Sequence, residues 1–338
     1  RMLRQVTIEN LTASIDVDSW LAKSIEQGYI DALESFTLRL PVMVKTINAL
    51  SRCPNLKTLN LDGAPTSAFR DKTIFEGIGK LLCLKKLTLR GAGLRVDDFL
   101  CFQSLPNLIE LDMFNLGALN PTHLVHLTNI FPQLEKVILP LSRKLDGAAH
   151  AMMAKGWPKL KHLECSAIEE ESWRAIGTLK HLNALKISCS GSASKPNQAI
   201  MAEFMKESHL QKLHLFGAKF GSITDVFSPL ANQLTHFVVH QCAITSREIV
   251  KLVKCFQTLF YLVIDDPFIV WTMHESKYLV KYQASHLKLF QFPNGLLKKN
   301  AVDYLIRKMP HADIGFSFDT RSSKQSLYWS ESNPRKPY

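Results

Sequence analysis

The sequence predicts an open α/β solenoid of about twelve strand–helix units, a horseshoe with parallel strands on its concave face and helices on its convex face. Three observations carry that expectation. A six-residue pattern, L-x-x-L-x-L, recurs along almost the whole chain; its copies keep a narrow spacing; and the stretches between them carry helical rather than strand periodicity.

Two looser copies come first, Leu3-Val6-Ile8 and Leu33-Phe36-Leu38. The pattern then runs through Leu56-Leu59-Leu61, Leu84-Leu87-Leu89, Leu108-Leu111-Met113, Leu134-Val137-Leu139 and Leu160-Leu163-Cys165. Leu182-Leu185-Ile187, Leu210-Leu213-Leu215, Leu234-Phe237-Val239, Leu259-Leu262-Ile264 and Leu287-Phe290-Phe292 complete it. From Leu56 onward the copies start 22 to 28 residues apart, and four of them have a proline two residues before the first leucine (Pro54, Pro106, Pro132, Pro158). The last four positions of each copy alternate, as a short strand with one buried face does. Between copies, residues 73–82 and 246–256 read as helices; in the second, Ile249, Leu252, Val253 and Phe256 fall at i, i+3, i+4 and i+7. Where it occurs, proline stops the helix before the next strand. A single unit cannot bury its apolar side, so neighbours must stack. Strands stack ~4.8 Å apart and helices ~10 Å apart, so the array bends towards its strands.

These residues resemble the leucine-rich-repeat family, and the resemblance covers nearly the whole chain. Repeat lengths that leave room for full helices are similar to the ribonuclease-inhibitor-like and cysteine-containing subtypes. The best match is Leu234-x-x-Phe237-x-Val239-x-x-Cys242-x-Ile244; other copies depart from it, with Ala64, Ala92 and Ala218 in the cysteine's place. The irregular lengths resemble F-box leucine-rich-repeat proteins. That resemblance implies a protein-interaction scaffold, the substrate-recognition part of a ubiquitin ligase, with the helical adaptor-binding segment outside this sequence. The chain starts almost directly on a strand, so either an N-terminal part of a longer protein is missing or the first unit is a degenerate cap. Met309-Pro310-His311-Ala312 repeats the proline signature, but residues 314–318 then follow out of register, as a terminal cap would. The expected division is a repeat domain over 1–319 and a polar tail over 320–338.

Composition narrows the function. The 338 residues are 46% apolar and 21% charged, with a net charge of +11. No apolar run approaches the ~20 residues that span a bilayer, and the first ten residues lack a signal-peptide pattern. Seven widely spaced cysteines without a CxxC argue for free thiols in a reducing compartment, cytoplasm or nucleus. No P-loop, GxGxxG, HExxH, GxSxG or kinase motif occurs, so neither catalysis nor a cofactor is expected. From Lys277 onward, eleven lysines and arginines face four acids, a basic bias that suits acidic proteins, nucleic acid or anionic membranes.

Strand register assigns the concave face. The early strands offer mixed charges: Lys57, Asn60, Asp62, Lys85, Lys86, Arg90, Glu110, Asp112, then Glu135, Lys136, Lys161, His162 and Glu164. The later ones offer Lys212, His214, Phe216, His236, Val238, His240, Phe260, Tyr261 and Asp265. Outward aromatics on a solenoid have no core to fill and suit a binding hot spot. Phe114 joins them as a candidate. Residues 265–274 hold Phe268 and Trp271 where other repeats carry turns; they either contact a partner or fold down over a widened core. Of the outward histidines, His236 and His240 are ~13 Å apart along one strand, too far to share an ion; only His214 and His236, on adjacent strands, are placed to approach. The polar loop 188–196 is flexible by composition. The expected activity is recognition of a protein partner on the concave face and adjoining loops. The alternatives are a regulatory or innate-sensor repeat domain, and a basic module for nucleic acid. Against the last, the early strands do not interleave basic and aromatic residues. No membrane partner is expected.

Overall fold

A computed structural model of the chain describes residues 3–8, 17–29, 31–39, 44–62, 72–90, 105–114, 119–142, 144–166, 169–189, 198–218, 222–267, 269–283, 285–293 and 296–316. Its strands are β1 (Gln5–Ile8), β2 (Ser35–Leu38), β3 (Thr58–Asp62), β4 (Lys86–Arg90), β5 (Glu110–Asp112), β6 (Lys136–Ile138), β7 (His162–Ser166) and β8 (Ala184–Ser188). They continue as β9 (Lys212–Phe216), β10 (His236–His240), β11 (Tyr261–Asp265), β12 (Val270–Trp271), β13 (Leu289–Phe292), β14 (Leu296–Leu297) and β15 (Asp313–Phe316). Thirteen of them form one parallel sheet in chain order; β12 and β14 pair separately as a miniature parallel sheet.

The leucine positions set the register. Leu59, Leu87 and Leu111 lie opposite one another across β3, β4 and β5, and Leu213, Phe237 and Leu262 do so across β9, β10 and β11. Every one of these is at most 1% exposed, and they belong to a single hydrophobic core running the length of the array. The prolines act at the other end of each unit. Amides of Leu56, Leu108, Leu134 and Leu160 donate to carbonyls three residues back, so each proline is the second residue of a tight turn, where its fixed φ suits the bend. The residue after each of three prolines (Asn55, Asn107, Gln133), and Gln233 in a later repeat, sends its side-chain amide to a carbonyl of the preceding repeat at 2.8–3.0 Å. These amides tie successive turns together along one rim.

The helices cover the other face: α1 (Val17–Glu26), α2 (Val44–Leu50), α3 (Lys72–Gly79), α4 (Pro121–Ile130), α5 (Gly147–Gly156), α6 (Glu170–Gly177), α7 (Gln198–Glu207), α8 (Ile223–Phe227), α9 (Ser246–Cys255), α10 (Met273–Gln283) and α11 (Lys299–Lys308). Their starts follow local chemistry: Asp146 caps α5, Thr245 caps α9, and Asn120 with His123 forms a reciprocal cap on α4. Two glycines let α5 approach its neighbours. A Cβ on Gly147 would lie 2.2 Å from Glu171 Cβ, and one on Gly156 would lie 2.3 Å from Thr128 Cβ.

The last strand corrects one expectation. Its pattern reads out of register in sequence, yet β15 pairs in register with β13, with Ile314 opposite Phe290 and Phe316 opposite Phe292. The Ala312 amide closes the turn onto Met309, as Leu56 does onto Cys53. The strand then begins one residue early, which restores the alternation.

Candidate partner-binding face on the concave sheet

The outward rows of the sheet divide into two regions. On the early strands, charges pair with their neighbours one strand over. Lys86 meets Glu110, its register partner, at 2.6 Å, and Arg90 pairs with Asp112. At the rim preceding the strands, Lys57 meets Glu34 at 2.9 Å and Lys161 meets Glu135 at 2.8 Å. In mid-array Glu164 accepts from Lys186 at 3.0 Å and lies 3.3 Å from His162. Burial would raise the Glu164 carboxyl, but the His162 contact and the Lys186 charge outweigh it and hold the pKa at about 2.

Rings replace ion pairs on β9, β10 and β11. The His236 ring stacks on Tyr261, its register partner, with centroids 4.2 Å apart and planes 15° apart. His214 packs against His240 at 4.7 Å, and Phe216 lies 6.2 Å from the same ring. The histidine expected to approach His214 was His236; the ring packed on it is His240, and both are diagonal neighbours, since Val238 stands directly opposite His214. His240 is held by Asp265, with Nδ1 2.6 Å from the carboxylate. Val238 and Val263 are 7% exposed although they face the concave side, so the floor between the rings is close-packed.

This packing sets the proton chemistry. Burial, then the His240 and Lys186 charges, holds His214 well below the usual histidine range. Burial, then Lys212, lowers His236 to about 4. His214 Nε2 is buried without a hydrogen-bond partner. Both rings border a shallow concavity whose other walls include His162, Glu164, Lys186, Lys212 and Val238. Glu164 was read only as part of a mixed-charge strand face, and Lys186 was not singled out; their membership in this concavity follows from register, since Glu164, Lys186 and His214 are successive partners across β7, β8 and β9.

The remaining candidates separate. Phe114, just beyond β5, meets the concavity through Lys186, whose Nζ lies 6.0 Å from its ring although β6 and β7 intervene. Phe260 sits at the rim, 37% exposed, with Lys288 Nζ 5.3 Å from its ring. Trp271 does not face a partner. It is fully buried, donates from Nε1 to Ser276 Oγ at 2.9 Å, and packs on Phe290 and Phe292 at 5.0 and 5.4 Å. Its strand, β12, covers the core that widens there, the second of the two readings of this segment. Phe268 lies outside the described residues, as do residues 190–196 of the polar loop.

Among the described residues no group of three or more His, Cys, Asp or Glu side chains is placed to hold a metal ion. Six cysteines are free thiols; burial raises Cys189 and Cys242 to about 12, and Cys165 further, which makes them core groups rather than nucleophiles. No helix among the described residues is long and apolar enough to cross a membrane.

No family model and no curated protein matches the chain in sequence. Among solved structures it is similar to Rad7 in the yeast Rad7–Elc1 complex, with a TM-score of 0.57 and 12% identity, over 90% of this chain and 76% of that one. A leucine-rich-repeat protein of Leptospira interrogans is looser, with a TM-score of 0.35 and 14% identity over 85% of this chain and 91% of that one. So is TLR13 in its complex with ssRNA13, at 0.47 and 18% over 85% of this chain and 43% of that one. With thirteen parallel strands inside and helices outside, the fold is a leucine-rich-repeat horseshoe.

Proposed function

We propose that this chain is a protein-recognition scaffold and that its partner docks on β9, β10 and β11 and on the rim at Phe260. One observation carries the reading: the concave face changes from self-paired charges to packed rings, His214 and Phe216 around His240 in one group and His236 on Tyr261 in another. Rings held in place by neighbours lose little entropy on binding and dominate interface hot spots. Rad7, similar in fold, is crystallised with a protein, Elc1, which supports the class. The F-box-type repeat lengths favour a substrate receptor of a ubiquitin ligase, working in the cytoplasm or nucleus, where free thiols persist. In this reading residues 1–319 are the recognition domain and 320–338 a polar tail.

The test is affinity purification of the full-length protein from its own cells, with a Phe260→Ala/Tyr261→Ala variant as control. A cullin-type adaptor bound to both forms, together with proteins lost only from the variant, is the expected result. Proteins lost without any adaptor would remove the ligase role and leave recognition standing. An unchanged partner set, with the variant still folded, overturns the proposed face.

A further inference from the structure

We propose that the convex flank formed by α9, α10 and α11 is a binding surface for single-stranded nucleic acid. It lies on the opposite side of the array from the ring patch and does not depend on the reading given for that patch. These three helices carry eight lysines and arginines, all exposed, against three acids. Of the acids, Glu275 is buried and Glu248 is paired with Lys251 at 3.0 Å. The three helices before them, α6, α7 and α8, show the reverse, with five acids against two basic residues. A face that only needs to stay soluble has no reason to sort its charges this way.

Aromatic rings are interleaved with the cations. Tyr278 and Tyr282 lie one turn apart on α10 with planes 1° apart and centroids 6.3 Å apart. Lys254 of α9 places Nζ 4.4 Å from the Tyr278 centroid, and Lys281 lies 5.3 Å from that of Tyr282. Both tyrosines are half-buried rather than packed in the core. A parallel pair of rings, each beside an ammonium group, suits bases that stack while their phosphates meet lysine. Successive helices pack about 10 Å apart, so a flexible strand crossing them meets a fresh set of cations at each one. The arrangement missing from the early strands, basic groups alternating with rings, is present on these late helices. A membrane is disfavoured because Ile306 is the only large exposed apolar side chain among the described residues of the three helices. An acidic peptide would use the cations but leave the rings without a stacking partner.

The experiment is fluorescence anisotropy with a labelled uridine 20-mer, its deoxyuridine counterpart, heparin and a polyglutamate peptide. Both oligonucleotides are expected to bind, with log K falling against log salt with a slope of about −3 if four cations are engaged. Arg307→Glu/Lys308→Glu, at exposed positions, is expected to weaken every anion by tenfold or more. Tyr278→Leu/Tyr282→Leu is expected to weaken the oligonucleotides about tenfold while sparing heparin. Tyr278→Phe/Tyr282→Phe retains the rings and should bind normally, which separates stacking from any loss of folding. Stronger binding of the RNA strand than the DNA strand identifies RNA as the source; equal binding assigns the site to either. Polyglutamate binding as tight as the oligonucleotides, or a leucine variant that binds RNA normally, overturns the proposal in favour of an acidic protein. Absence of oligonucleotide binding at low salt overturns it outright.

Discussion

The early and late concave strands share one backbone plan and differ in what they show the solvent. On β3, β4 and β5 the inward leucines are matched by an outward surface that neutralises itself, Lys86 against Glu110 and Arg90 against Asp112. On β9, β10 and β11 the same inward positions are filled, yet the outward ones hold rings stacked across strands, and the close acid–base contact of His240 with Asp265 serves to fix a ring. The core row is constrained in every repeat because a polar residue there would be buried unpaired. The outward row is free to diverge, so a change of chemistry along it is information about partners rather than about folding.

That contrast can be broken or sharpened by substitution. The largest expected effect lies where the two regions are alike. Phe237→Ala, removing a ring 5.9 Å from both Phe227 and Phe256, should cost about 3–5 kcal/mol, and Leu59→Ala in the early half about 2–5 kcal/mol. Urea denaturation would show it, and a much cheaper loss in either half would mean the core is not continuous. Next, Gly147→Ala should cost about 1–3 kcal/mol, because the new methyl meets Glu171 on α6 and cannot be accommodated without moving a helix. A neutral thermal midpoint would show that α5 and α6 can separate freely.

The regions also differ in their response to pH. His236 titrates at about 4 and His214 well below 6.5 in the folded chain, so unfolding takes up protons there. Their neutrality costs nothing above pH 6.5; stability falls as pH drops from 6.5 towards 4. Glu164 acts lower, its contribution present above about 4.5 and lost as pH falls towards 2. Histidine proton resonances that shift near pH 6.5 for His214 or His236 would contradict the packing described. The smallest effect belongs to the early face: Lys86→Ala should change stability by no more than about 1 kcal/mol. It should also leave partner affinity unchanged, whereas the Phe260/Tyr261 pair should cost about 2 kcal/mol or more in binding.

Much of the fold was legible because two periods, alternation within strands and a repeat of about twenty-five residues between them, reinforce each other. The positions that escaped are those set by neighbours outside that pattern. For Trp271 the sequence leaves two readings open, because nothing local shows that Leu296–Leu297, one repeat later, forms a strand beside it. The contact of His214 with His240 lies along one of two diagonals flanking Val238, and strand spacing alone does not choose between them. The restored register of Ile314 depends on a strand that begins one residue sooner after its turn than its predecessors do. Of the candidate site, the ring cluster on β9, β10 and β11 followed from register; Glu164 and Lys186 join it by the same register across β7, β8 and β9, whereas the approach of Phe114 to within 6.0 Å of Lys186 spans two intervening strands and has no signal in the sequence.

In the large sheet each strand lies beside the strands of its neighbouring repeats in the chain, which gives the molecule the mechanics of a linked belt. Each contact between repeats closes a loop of similar, modest length, so assembly can begin at any adjacent pair and spread in both directions. Pulled from its two ends, such a belt would yield one unit at a time. Every unit of about twenty-five residues would release roughly 80 Å of chain while those beyond it stay folded.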